Sequence, residues 1–216
     1  MFTGIIQHVG TIERKGERRE GVEFAVVASN FARRLSPGDS VSINGVCQTV
    51  ETVVADTFTF TAVGETLKRT TFDRVRSRSA VNLEAAATVE TALGGHLVQG
   101  HVDGVGIVEA FEWVGKDRLL TIGLPESIFA YMVPKGSIAV DGVSLTIVEA
   151  TVENRVTITI IPFTIEKTVF KHYRAGTRVN IEVDIVGKYV KEYLVKIIGD
   201  GSRREDELSR KSKEVT

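Results

Sequence analysis

PGDSVSINGVCQTVETV at 37–53 and PKGSIAVDGVSLTIVEA at 134–150 are one pattern written twice. Each opens on a proline-glycine turn, runs through a short alternating strand, reverses at Asn-Gly or Asp-Gly, and returns. Those dipeptides favour the two-residue turn of a β-hairpin. Outward from the hairpins the correspondence continues in order. GIIQHVGTIE at 4–13 matches GHVDGVGIVE at 100–109, TFTFTAVGETLKRTTF at 57–72 matches VTITIIPFTIEKTVF at 156–170, and AVNLE at 80–84 matches RVNIE at 178–182. The offsets stay nearly constant: 100 − 4 = 96, 144 − 47 = 97 and 179 − 81 = 98. Conserved order and spacing over four segments mark a tandem duplication.

Each copy reads as β. SVSINGV, TFTFTAV, VTITII and RVNIEVD alternate or cluster Val, Ile, Thr and Phe between Gly and Pro turns. Short strands in fewer than a hundred residues favour a small closed barrel, which also removes exposed edges. The expected architecture is all-β: two tandem closed antiparallel Greek-key barrels, 1–96 and 97–187, followed by a C-terminal α-helix. SNFARRL and PESIFAYM are expected to form the one short helix of each copy. In IVGKYVKEYLVKIIG apolar residues recur at three- and four-residue steps, which predicts an amphipathic helix over 188–199. Self-association and folding back on its own barrel are both open to it. The charged tail 200–216, almost without apolar residues, is expected to be disordered.

Composition excludes several function classes. Lys+Arg at 27 nearly cancels Asp+Glu at 28, so no general attraction to nucleic acid or anionic membrane is expected. The basic stretch KRTTFDRVRSR at 68–78 reads as a solvated loop face. The single Cys47 fits a reducing compartment. The start, MFTGIIQHVG, lacks a signal peptide's basic and apolar regions, and no run reaches a membrane span. A cytoplasmic protein is expected.

MFTGII, NGVCQTV, GGHLVQGHVDG and DGVSLTI together resemble riboflavin synthase, over Met1 to about Leu194. The resemblance implies a cofactor-free dismutation. One 6,7-dimethyl-8-ribityllumazine gives a four-carbon unit to another, yielding riboflavin and 5-amino-6-(ribitylamino)uracil. It further implies a homotrimer held by the C-terminal helices, with the active site between the N-barrel of one subunit and the C-barrel of the next. Association with lumazine synthase is left open. Gln48 departs from the family's usual Leu, which the second copy keeps as Leu145. A non-catalytic lumazine- or flavin-binding protein on the same fold is the alternative; a reductase barrel would need a nucleotide domain, and no GxGxxG follows a strand.

By resemblance, the substrate-lining residues of the first copy are Gly4, Ile5, Ile6, Cys47, Gln48, Thr49, Thr61, Ala62, Val63, Gly64, Glu65 and Thr66. Those of the second are Gly100, His101, Val102, Ser144, Leu145, Thr146, Ile161, Pro162, Phe163, Thr164, Ile165 and Glu166, with Lys135 nearby. Two similar pockets suit two stacked rings, and holding reactants in attack geometry supplies roughly 7–11 kcal/mol. Thr49 and Thr146 fit strands by propensity alone; their twin placement beside each turn favours binding.

The copies differ where chemistry would act. His101, opposite Ile5, is a candidate to move the methyl proton, though a loop histidine bonded to a carbonyl explains it too. Cys47, opposite Ser144, is a candidate nucleophile, and a small buried thiol is the competing explanation. Ser144 and Thr146 are further nucleophiles or water-positioners. Asp141 and Asp184 are acidic candidates to stabilise a cationic adduct or relay protons, with a solvated turn the stronger reading for Asp141. His96 and His101 lack further ligands for a metal, and none is expected.

Overall fold

The computed structural model describes residues 1–197. The first copy forms β1 (His8–Arg18), β2 (Gly21–Val27), β3 (Ser40–Ile43), β4 (Val46–Thr49), β5 (Thr52–Val54), β6 (Thr57–Val63) and β7 (Ala80–Ala85). The second repeats them as β8 (Gly104–Val114), β9 (Asp117–Gly123), β10 (Ser137–Val140), β11 (Val143–Thr146), β12 (Glu149–Thr151), β13 (Arg155–Ile160) and β14 (Arg178–Val183). The strand orders are β4-β3-β7-β1-β2-β6-β5 and β11-β10-β14-β8-β9-β13-β12, identical position for position. All pairings are antiparallel, and both long hairpins carry an irregularity at the same place, Ile12/Arg14 and Val108/Ala110. The edge strands β4 and β5 are joined only by Val50 and Glu51. Consecutive strands on opposite edges must therefore meet, which curls each sheet into a barrel.

The alternating strands fill these barrels. Phe24, Phe58, Phe60 and Phe72 are fully buried in the first, with Phe24 and Phe60 stacked at 5.1 Å. Ile122, Ile158, Leu120 and Phe170 occupy the second.

Helical content differs from expectation. SNFARRL makes only a 3-10 turn at Ala32–Arg34, and PESIFAYM makes the four-residue helix α2 (Glu126–Phe129). Each copy adds a second short helix, α1 (Gly64–Arg69) and α3 (Pro162–Lys167). The helix expected over 188–199 runs from 185 to 197. Its last two expected positions and the tail 200–216 lie outside the described residues. No helix among the described residues is long and apolar enough to cross a membrane. Met1–Asp184 forms one compact unit, of which the helix from Ile185 is not a part.

The copies meet through their hairpin turns. Asn44 and Asp141 have φ of 47° and 43°, followed by Gly45 and Gly142 at 76° and 79°, the left-handed pair that a type I′ turn requires. The turns touch so closely that a Cβ on Gly45 would lie 2.6 Å from the Gly142 nitrogen. Buried asparagines stitch the seam reciprocally. Asn82 donates to the Asp141 carbonyl (2.9 Å) and Asn180 to the Asn44 carbonyl (2.8 Å).

Asp141 is therefore not the solvated turn residue that Asp-Gly suggested. It is 4% exposed, because the other copy's turn covers it. Its carboxylate accepts from the Tyr173 hydroxyl (2.5 Å) and the Asn180 N–H (2.8 Å). Burial pushes this carboxyl up to about 7, against the downward pull of those two donors. The sign follows. Between about pH 4 and 7 the folded chain keeps a proton that the unfolded chain has lost, so stability falls as pH rises through that window. About three pH units correspond to a loss on the order of 4 kcal/mol. Asp141→Asn should flatten that slope in denaturant unfolding at pH 5 and pH 8. Parallel slopes for both proteins would remove Asp141 from the effect.

Candidate active site

Outside each barrel, one edge of β4 and of β11 is taken up by the segment that leads into the other copy. The Cys47 N–H donates to the Gly100 carbonyl (2.9 Å), and the Ser144 N–H donates to the Gly4 carbonyl (2.8 Å). Only glycine serves at either point. Gly4 and Gly100 have φ of 75° and 80°, and a Cβ on either would approach the Ser144 or Cys47 Cβ to 2.6 Å. Packing crosses in the same sense: Ile6 rests on the second barrel's core and Val102 on the first's. The two leaders pair with each other through Phe2 and Val98, beside which Cys47 packs.

Two buried carboxylates hold the leaders in this crossed position. Glu84 of β7 accepts from the Thr3 N–H (2.7 Å), the Thr3 hydroxyl (2.7 Å) and the Gly4 N–H (3.0 Å). Glu182 of β14 accepts from the N–H groups of Gln99 (2.7 Å), Gly100 (2.9 Å) and His101 (3.0 Å). Burial raises the Glu84 carboxyl, partly offset by its Thr3 and Gly4 donors. Each leader is thus anchored on its own barrel and presented to the other.

Two unlike groupings result. One gathers Cys47, Gln48 and Thr49 with Gly100, His101 and Val102. The other gathers Ser144, Leu145 and Thr146 with Gly4, Ile5 and Ile6. The sequence pattern aligned Cys47 with Ser144 and Ile5 with His101, leaving open which leader serves which barrel; the hydrogen bonds decide it. β4 also lies against β6, and β11 against β13. Thr61, Ala62 and Val63 end β6 and lead into α1, which carries Gly64, Glu65 and Thr66; Ala62 is buried in the first barrel's core. Ile161 follows β13 and leads into α3, which carries Pro162, Phe163, Thr164, Ile165 and Glu166; Ile165 packs against the second barrel's core. Glu65 is held by Arg69 (2.5 Å), which lowers its carboxyl. The Thr66 and Thr164 carbonyls accept from Thr70 and Thr168 hydroxyls (2.7 Å each). Gln48 is buried and donates to the Cys47 carbonyl (2.6 Å). Lys135 lies in the exposed turn before β10, with φ of 70°. Asp141 sits in the inter-copy seam, its oxygens engaged by Tyr173 and Asn180, and joins neither grouping.

His96 is the residue that sequence reasoning missed. Its Nδ1 lies 2.7 Å from the Ser144 Oγ, and its backbone N–H donates to the Thr3 carbonyl (3.2 Å). Its Nε2 is buried with no hydrogen-bond partner among the described residues. Burial lowers the imidazole's basicity, and the nearby Asp184 carboxylate pulls it back up. The ring is neutral near pH 7. The flanking glycines were the available signal: a Cβ on Gly95 would fall 2.2 Å from the Thr3 carbonyl oxygen and 2.7 Å from the Ser144 Cβ.

The lumazine binding domain model matches the chain twice, at residues 3–86 and 99–184. Riboflavin synthase of Actinobacillus pleuropneumoniae is 40% identical over 199 residues, 91% of both chains. That of Bacillus subtilis is 39% identical, again over 91% of each. The chain belongs to the riboflavin synthase family. Riboflavin synthase of Mycobacterium tuberculosis, 39% identical over 90% of this chain and 98% of its own, extends the likeness. The crystal structure of LumP complexed with riboflavin superposes with a TM-score of 0.79 at 22% identity, over 85% of this chain and 99% of that one. LumP complexed with 6,7-dimethyl-8-(1'-D-ribityl) lumazine gives 0.77. Those structures share the fold. Like the riboflavin synthases it belongs with, the chain is an enzyme.

Crossed leaders make a crossed prediction. Glu182→Gln replaces a charged acceptor of three N–H groups with a neutral one, and charge-assisted bonds are roughly twice as strong as neutral ones. The Gly100–Val102 segment should lift from β4 more often. Labelling of Cys47, the chain's one thiol, by an aromatic disulfide should then accelerate about tenfold, whereas Glu84→Gln should leave it unchanged. Acceleration by Glu84→Gln alone would contradict the crossing.

Proposed function

We propose that the chain converts two 6,7-dimethyl-8-ribityllumazine molecules into riboflavin and 5-amino-6-(ribitylamino)uracil, as a homotrimer in the cytoplasm. In this reading 1–96 and 97–187 are lumazine-binding barrels and 188–199 is the oligomerisation helix. The Cys47 half-site of one subunit faces the Ser144 half-site of the next.

The observation that carries the reading is the pair of similar, crossed, chemically unlike half-sites. A dismutation needs two places that hold the same ring, with different groups at each, because one molecule donates and the other accepts. The hydroxyls, thiol and main-chain groups beside β4 and β11 suit a ring edged with carbonyls and amides and a ribityl chain. No outside oxidant is required: the four carbons lost by the donor are those gained by the acceptor, and the donor leaves as the diamine. The ring is its own electron sink, since the anion formed by proton loss from the C7 methyl delocalises into it.

The chain supplies positioning and proton handling. With the His96 proton on Nδ1, the ring donates to the Ser144 Oγ and leaves no buried N–H unsatisfied, the costlier kind of orphan. The Ser144 hydroxyl proton is then free for the ligand. Asp184 steadies any positive charge that develops on His96. On the opposite half-site Cys47 adds to the acceptor ring, and His101, exposed beside it, exchanges the methyl proton with solvent.

Mixing the purified chain with the lumazine in the presence of EDTA should produce flavin absorbance, one riboflavin for every two lumazines consumed. Tight binding without turnover would instead support the non-catalytic lumazine-binding reading, which Gln48 in place of Leu favours.

A further inference from the structure

Apart from Arg69, which pairs with Glu65, the basic stretch at 68–78 takes no part in either half-site. Its second half and the corresponding loop of the second copy line a cleft of about 690 Å³ between the copies, which Asn44 and Asp141 also line. We propose that this cleft binds the phosphate groups of a phosphorylated small molecule.

Charge is the first argument. Arg74, Arg78, Arg174 and Arg178 all line the cleft, on a chain whose net charge is −1. Two carboxylates answer them. Asp73 accepts from Arg178 (3.0 Å) and Arg74 (3.3 Å), and Asp141 is already engaged by Tyr173. Among the described residues, no carboxylate pairs with Arg78 or Arg174. Four guanidiniums gathered in one cleft repel one another, and an anion between them removes the repulsion. Their planar forks match phosphate oxygens two at a time.

The duplication provides an independent argument. At the offset of 98, Arg74 stands opposite His172, Arg78 opposite Gly176, and Arg178 opposite Ala80. Arg174 alone of the four has an arginine twin, Arg76, which does not line the cleft. The other three stand where the opposite copy has no arginine, and the cleft collects them. Arg78 adds backbone strain: its φ is 71°, where Gly176 adopts 85°. Glycine is the residue suited to that conformation, so an arginine there is retained against a local preference. A cleft of this size takes an organic ligand, not a lone phosphate ion.

Arg78→Gly tests this cleanly, because it removes the cation and relieves the backbone together. Calorimetric titration of the full chain with inorganic pyrophosphate should show one site. Arg78→Gly and Arg174→Gln should each weaken it about tenfold or more, with no loss of melting temperature in Arg78→Gly. The inference is overturned if pyrophosphate gives no saturable heat, if both variants bind it like the parent, or if only a single-stranded oligonucleotide binds.

Discussion

His96→Gln is expected to lower turnover about 10²- to 10⁴-fold, the range for a positioned proton-transfer group, while riboflavin binds nearly as before. Glutamine can still reach the Ser144 hydroxyl as a hydrogen-bond partner but has no counterpart of the Nε2 lone pair, where the imidazole takes up and returns a proton. Loss should therefore fall on kcat, not on binding. Ser144→Ala should be similarly slow, and the double variant little slower than either single one, since the 2.7 Å pair acts as a unit. The pH profile gives a further check. Burial keeps His96 neutral to lower pH than an ordinary histidine, so the parent's rate should hold on acidification until below about pH 6.5. A His96→Gln enzyme with full kcat and weakened binding would reduce His96 to a wall of the pocket.

The duplication and its two barrels were legible in the sequence because hairpin turns and strand alternation are local patterns. Asn-Gly and Asp-Gly sit where the type I′ turns form, and the twin strands pair in the same order. The two inter-barrel features were not legible, for the same physical reason. Asp141 reads as a surface residue until a second turn is packed on it, and nothing near it in sequence announces that neighbour. Gly4 and Gly100 stand in the same register in both copies, so crossed and uncrossed leaders have the same sequence. The Cys47–Gly100 and Ser144–Gly4 hydrogen bonds separate them, together with the seating of Ile6 and Val102 on opposite cores.

His96 was passed over because comparing copies finds residues with twins, and His96 lies outside the matched segments. Its marks were the pair of glycines before it and its place in the GGHLVQGHVDG block. The helices α1 and α3 each follow a strand without a side-chain cap, so no N-terminal signal stood out. Pro162 at the first turn of α3 was the exception. The Cys47/Ser144 difference, by contrast, was visible from the alignment alone. It proved to separate two groupings that also differ in the leader each receives.

The crossing governs how crippled chains rescue one another. Cys47 and His101 belong to one half-site and Ser144 to the other, so a Cys47→Ala chain and a His101→Ala chain damage the same half. Co-refolded, they leave every Cys47 half-site impaired, whichever subunit it faces. A Cys47→Ala chain and a Ser144→Ala chain damage opposite halves. In a ring of head-to-tail interfaces, random mixing gives half the interfaces a sound first half and half a sound second half, so about a quarter are intact. The measurement is riboflavin formation by each equimolar pair after joint unfolding and refolding, with mixed oligomers verified by mass spectrometry. Rescue to about a quarter of parental activity by the Cys47/Ser144 pair, and none by the Cys47/His101 pair, is the expected result. Rescue by the Cys47/His101 pair, or none by either, would contradict the crossed, shared site.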